Sequence, residues 1–325
     1  MHSQAHPRIE EGRFISVRGI DQWVTVRSQN SGDPALLILP GPGAGMAVLA
    51  PFFAPWEQAF TLIQWDQPRA GVTHVRHGGA TPGEYTIDRL VDDGLTVSEW
   101  ATQHLGVRRI AVVGFSGGTI VGLHMIKRRP QLFSAYIGSG QITNWARQDV
   151  LSYEMVLEQA RQRHDAVATE ELERIGPPPY PDTATDATKS RYAGAPTAAE
   201  APALSSLLVT FTSPPTDAGY VPARWLPEKE IRAVATAAYD ALRQEIVSFD
   251  AELLGLDFEV PMIFLQGELD AFTVSAEVER YVAKIQSPHK AYIGIPGAGH
   301  SPWMMRDRYL ELLRTHVRPI LTQVD

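Results

Sequence analysis

Short apolar runs that stop at glycine or proline alternate along this chain with longer stretches in which apolar residues recur every three or four positions. The short runs fall at 35–39, 60–65, 109–113, 135–137, 261–265 and 291–295. An unbroken apolar run of that length suits a strand buried on both faces of a parallel sheet. Residues 14–27 differ: they alternate apolar and polar around Gly19-Ile20-Asp21, as a hairpin does. Helical spacing appears over 87–104, where Leu90, Val91, Leu95, Val97 and Trp100 recur, and again over 119–129 and 307–321. Strands alternating with helices predict an α/β domain with a mostly parallel central sheet flanked by helices.

The alternation stops between about 141 and 258. Two long helical stretches, 144–175 and 227–254, flank a region rich in Pro, Ala and Thr. In the second, Ile231, Val234, Ala238, Leu242, Ile246 and Phe249 form one apolar stripe. The expected organisation is an α/β catalytic domain from 1–140 and 259–325, with a helical cap, or lid, inserted at 141–258. A flexible linker is the alternative for the Pro-rich middle.

Composition narrows the function classes. The 325 residues are 44% hydrophobic and 20% charged, as in an ordinary globular protein. With 29 basic against 37 acidic residues the net charge is −8, which argues against nucleic-acid binding. The densest basic run, Lys127-Arg128-Arg129, sits before Pro130 and reads as cations at a helix C-terminus. Cysteine is absent, excluding disulfides, thiolate catalysis and Cys-ligated metal centres. The first residues hold no signal-peptide core, and the longest apolar run, 46–56, is interrupted by Pro51 and Pro55 and is too short to span a membrane. A soluble cytoplasmic protein is expected. Gly41-Pro42-Gly43 lacks the lysine and spacing of a phosphate-binding loop, and neither metal nor organic cofactor is implied.

Gly114-Phe115-Ser116-Gly117-Gly118 follows the run Ile110-Ala111-Val112-Val113 and precedes a periodic helix. This is G-x-S-x-G in a strand-to-helix turn, where a strained backbone holds the serine hydroxyl above the sheet. Such a hydroxyl attacks only when a neighbouring base takes its proton. Ten histidines compete for that role. His300 alone ends Gly297-Ala298-Gly299-His300 directly after the last predicted strand, where hydrolases with this elbow carry their base. Chain order Ser, acid, His then places the acid between them at a strand end. Gly267-Glu268-Leu269-Asp270 follows the run 261–265, so Asp270 is the candidate, with Glu268 as fallback. Gly138-Ser139-Gly140-Gln141, after the preceding strand, has no carboxylate. An oxyanion hole needs two backbone amides. Gly117 supplies one; after the 35–39 strand, Pro40 and Pro42 have none to offer, leaving Gly41, with Gly43 possible.

Together these pieces resemble the α/β-hydrolase superfamily and, within it, the proline iminopeptidase-like branch. That branch carries His-Gly-Gly-Pro-Gly where this chain reads Leu39-Pro40-Gly41-Pro42-Gly43, and Asp-Gln-Arg-Gly-x-Gly-x-Ser where it reads Asp66-Gln67-Pro68-Arg69-Ala70-Gly71-Val72-Thr73. Tyr136-Ile137-Gly138-Ser139-Gly140-Gln141 and Ile175-Gly176-Pro177-Pro178-Pro179-Tyr180 are also similar. Departures stand at Leu39, Pro40 and Gly117, in place of the branch's His, Gly and common Trp. The resemblance implies a Ser-His-Asp hydrolase working through an acyl-enzyme on a small-molecule or short-peptide substrate with an N-terminal proline-like residue. It also implies lid carboxylates that bind the free α-ammonium; Asp149, Glu154, Glu158, Glu171, Glu245 and Asp250 are among the acids available. A carboxylesterase or lactone hydrolase would use the same machinery, and a non-catalytic ligand-binding protein is the alternative outside enzymes. Dehalogenases and epoxide hydrolases need a carboxylate where Ser116 stands.

Overall fold

A computed structural model describes residues 7–78, 83–204, 207 and 228–322. Eight strands form one sheet in the order β1-β2-β4-β3-β5-β6-β7-β8. They are β1 (Ile9–Val17), β2 (Ile20–Ser28), β3 (Ala35–Leu39), β4 (Thr61–Asp66), β5 (Ile110–Phe115), β6 (Phe133–Ser139), β7 (Met262–Gly267) and β8 (Lys290–Ile295). The β1–β2 hairpin and the β2–β4 pair are antiparallel; every other pairing is parallel. The expected hairpin turns at Arg18-Gly19, both at positive φ (50° and 82°), the backbone that lets a two-residue turn follow the strand twist.

Period-two side-chain direction explains why the parallel strands read as continuous apolar runs. Leu37, Leu39, Val112 and Phe264 point to one face, where they pack with Leu90, Val91, Ile120 and Leu123 of helices Ile87–Leu105 and Gly118–Arg128. Their neighbours Leu36, Ile38, Val113 and Leu265 point to the other, against Phe53, Trp56, Tyr309 and Leu313. Each such side chain contributes about 1.5–3 kcal/mol when fully buried. Strand order reverses at β3, which joins β4 on one side and β5 on the other. A crevice beyond the carboxyl ends of β3 and β5 is therefore the place the topology reserves for a ligand.

Between β6 and β7 the described chain is helical, though not as expected. The single helix predicted over 144–175 is two, Trp145–Gln162 and Ala166–Ile175. His164 takes a φ of 54° at the break, and the Asp165 side chain accepts from Ala168 N to start the second helix. The Pro-rich stretch holds a further helix, Thr183–Ala193, begun by Asp182, so the linker alternative fails for its described part. Residues 205–206 and 208–227 of that stretch lie outside the described residues. The stretch predicted at 227–254 is helix Glu228–Val247, a break, and a short 3-10 turn Ala251–Leu254. The C-terminal helix is likewise interrupted: a π-turn at Leu313–Val317 separates Arg306–Leu312 from Arg318–Leu321. Pro319 has no amide to continue the ladder, which accounts for the wider turn. Among the described residues no helix is long and apolar enough to cross a membrane.

Candidate active site

Ser116 stands between β5 and helix Gly118–Arg128 with φ of 51°, a left-handed conformation that non-glycine residues adopt only when their surroundings enforce it. Enforcement comes from close packing. Ser116 N donates to Ser139 O at 3.0 Å, and Thr119 N donates to Ser116 O at 2.8 Å. A Cβ on Gly114 would lie 2.9 Å from the Thr119 Cα, and one on Gly118 would overlap the Leu39 carbonyl oxygen. These two glycines therefore allow strand, turn and the loop after β3 to occupy one small volume.

The loops after β7 and β8 bring the other two predicted residues to the same place. His300 Nε2 lies 2.9 Å from Ser116 Oγ, and its Nδ1 lies 3.1 Å and 3.2 Å from the two carboxylate oxygens of Asp270. Asp270 is fully buried, whereas Glu268, the fallback, is exposed. Four donors orient the Asp270 carboxylate. Phe272 N and Thr273 N reach Oδ1 at 2.8 Å each; Thr273 Oγ1 and Gln266 Nε2 reach Oδ2 at 2.6 and 2.8 Å. Burial raises the Asp270 pKa, but the His300 charge and hydrogen bond together with Thr273 outweigh it and hold the carboxyl below its ordinary value. For His300 burial works downward, and the Asp270 charge, its hydrogen bond and the more distant Glu200 outweigh that and hold the imidazole above its ordinary value.

Gly41 and Gly117 lie side by side. A Cβ built on Gly41 would lie 3.9 Å from Gly117 N, and among the described residues neither amide donates a hydrogen bond. Gly43 lies elsewhere: its Cβ would sit 2.7 Å from the Ala235 Cα of helix Glu228–Val247. Asp66 holds this loop. Buried at the end of β4, it accepts from Met46 N and Ala47 N through one oxygen and from Val72 N through the other. Burial pushes its carboxyl upward against those three amides. The Asp66–Thr73 motif thus fixes the path of the chain that follows Gly41.

Most of the acids considered for substrate binding are committed elsewhere. Glu154 and Glu158 are exposed, Glu171 pairs with Arg191, Glu245 accepts from Ile87 N and Asp250 from Glu252 N. Asp149 forms a buried ion pair with Lys189, whose ammonium lies 3.9 Å from Asp186 and 5.4–5.9 Å from the ring centroids of Phe272, Tyr180 and Trp145. Beside this cluster is a cavity of about 410 Å³ walled by Trp145, Asp149, Tyr180, Asp186 and Arg243 among others. Trp145 packs on Phe272 (5.9 Å), and Phe272 on the His300 ring (4.9 Å). Lys189, Asp186 and Phe272 were not legible as site-adjacent residues, nor was Glu200. Among the described residues no group of three or more His, Asp or Glu is arranged to hold a metal ion.

A serine elbow at the carboxyl end of a parallel strand, on a sheet of this order, defines an α/β hydrolase. The family model for the alpha/beta hydrolase fold matches residues 34–305; the chain belongs to that family and is an enzyme of the hydrolase class. It is 21% identical over 304 residues to "Probable aminopeptidase YbaC" of Bacillus subtilis (strain 168), covering 89% of this chain and 90% of the relative. Among solved structures it resembles a proline iminopeptidase-related protein from Thermus thermophilus, with 19% identity, a TM-score of 0.62 and coverage of 96% and 99% of the two chains. It also resembles a thermophilic esterase from Thermogutta terrifontis, with 18% identity, a TM-score of 0.56 and coverage of 96% and 98%. The expected likeness to the proline iminopeptidase-like branch is borne out.

Proposed function

We propose that this hydrolase cleaves an acyl bond through Ser116, with His300 as base and acid, Asp270 orienting it, and the Gly117 and Gly41 amides binding the oxyanion. The carrying observation is the continuous contact from Ser116 Oγ through both imidazole nitrogens to a buried carboxylate. As Oγ bonds to the substrate carbonyl carbon, its proton passes to His300 Nε2 and negative charge gathers on the carbonyl oxygen. The tetrahedral adduct collapses when the same proton reaches the leaving amine or alkoxide. Water, deprotonated by His300, then releases the acid from the acyl-enzyme and restores Ser116. Residues 141–258 serve as the cap over this site, and the working compartment is the cytoplasm.

For substrate we favour a peptide or amide with a free, proline-like N-terminus, on the likeness to the Bacillus aminopeptidase and on the cavity walled by Asp149 and Asp186 together with Trp145 and Tyr180. Lys189 favours a second reading. It already neutralises Asp149, so one carboxylate fewer is free to meet an α-ammonium, and an ester or lactone would need none. The deciding assay compares a proline arylamide, its N-blocked analogue and a short-chain nitrophenyl ester, with wild type and Ser116→Ala. Cleavage of the free-amine arylamide alone, lost by roughly 10⁴–10⁶-fold in Ser116→Ala, supports the aminopeptidase. Turnover of the ester alone assigns an esterase or lactonase. If a folded enzyme turns over an ester equally well with Ala at 116, the serine mechanism is wrong.

A further inference from the structure

Thr197-Ala198-Ala199-Glu200 opens the helical turn at 201–204 as a capping box. Thr197 N donates to Glu200 Oε2 at 3.0 Å, and Glu200 N donates to Thr197 Oγ1 at 3.3 Å. A capping glutamate ordinarily sits at the surface, yet Glu200 is only 1% exposed. Its second oxygen is turned away from its own helix. Oε1 accepts from Gly299 N at 2.9 Å and from Ser301 N at 3.1 Å, the amides on either side of His300. Space for this approach exists because residue 299 is glycine: a Cβ there would lie 2.9 Å from Glu200 Oε2.

We infer that Glu200, carried on the segment between β6 and β7, is a positioning residue for the imidazole of His300, fixing its loop through the two flanking amides and placing a second negative charge behind it. This rests on the serine-hydrolase reading of the site. A capping function accounts for one carboxylate oxygen only; helix stability needs nothing from the other. The groups that face the His300 ring are the Asp270 carboxylate, the Ser116 hydroxyl, Thr273 Oγ1 at 3.5 Å and the Phe272 ring, so Asp270 and Glu200 are the charges that set its proton affinity. The Glu200 charge contributes to holding the imidazole above its ordinary value, in the same sense as Asp270. The base is thereby completed by a part of the chain far from it in sequence, and displacement of residues 197–204 would release the His300 loop.

Glu200→Gln removes the charge but leaves a single acceptor oxygen, enough for the two His300-loop amides or for the cap at Thr197 N and not for both. Glu200→Ala removes cap, clamp and charge together. Two readouts are taken on each folded variant: the titration of His300 by NMR of ¹³Cε1-histidine protein, and the second-order rate of labelling by a fluorophosphonate, which reports serine activation without knowledge of the substrate. The inference expects His300 to titrate lower in Glu200→Gln, and labelling near neutral pH to fall roughly tenfold in Glu200→Ala. His300 titrating in Glu200→Gln as in wild type, or Glu200→Ala labelling at the wild-type rate, overturns it. Wild type that titrates as expected but never labels would instead overturn the serine-hydrolase reading.

Discussion

Ser116 can lose its proton only to a neutral imidazole, so the charge state of His300 sets when the proposed chemistry runs. Burial favours the neutral ring, but Asp270 and Glu200 win, and the pKa stands above the ordinary value of about 6.5. The acidic limb of kcat/KM in the free enzyme is therefore expected above pH 6.5, with activity rising as pH increases through it. Asp270→Asn should move that limb downward and reduce kcat by about 10⁴-fold, because the amide neither stabilises the imidazolium nor holds the required tautomer. A pH–rate profile of the two enzymes checks both effects; a limb that stays in place would remove Asp270 from its role. The sign for stability is opposite. A histidine whose pKa is raised by folding stabilises the native state below its unfolded pKa, and the contribution is lost as pH rises through the folded value. Full activity and this stabilisation consequently occupy different pH ranges.

Among the elements, the sheet was legible because both of its faces are covered, so that 35–39, 109–113 and 261–265 read as unbroken apolar runs. The residues of the proposed triad stand out in the sequence for a related reason: each follows such a run, where glycines mark the turn. The segment between β6 and β7 was harder to read. Its helices pack on one another through small patches such as Tyr153, Val156 and Leu172; one break is made by a single cap, Asp165, in otherwise helix-compatible text, and the helix begun by Asp182 stands in Pro-rich text that reads as a linker. Buried charge is still less visible in a linear pattern, since Lys189, Asp149 and Asp186 each fall on a helix as a solvated residue would. Their pairing makes a sharp prediction. Lys189→Met leaves two carboxylates buried around a lost cation and should cost about 3–5 kcal/mol in urea denaturation. Adding Asp149→Leu should recover much of that loss; if the double variant is as unstable as the single, the pair was not the source.

At the scale of the molecule, a charged network joins the segment between β6 and β7 to helix Ser275–Lys284. Arg147 of helix Trp145–Gln162 contacts Glu252 and Glu277 at 2.9 Å each. Arg280 contacts the same two acids at 2.6 Å, and Lys284 reaches Glu252 at 3.0 Å. Hydrogen bonds from Arg280 and Lys284 pull the Glu252 carboxyl down from its ordinary 4.5 to about 2. A carboxyl depressed by folding stabilises the native state above its unfolded pKa, and the contribution disappears as pH falls through the folded one. The contact that Glu252 makes with Arg280 and Lys284 of helix Ser275–Lys284 should therefore hold down to about pH 4.5 and weaken progressively toward pH 2. Because the network is partly exposed, added salt should weaken it as well. Hydrogen exchange followed by peptide offers the direct check: protection across residues 145–162 should fall on acidification before that of β5 and β7 does. Glu252→Gln should show the same early loss at neutral pH. Loss of protection in the strands and in 145–162 at one common pH, in both proteins, would mean that the network does not govern this contact, and that the segment and the sheet unfold as one unit.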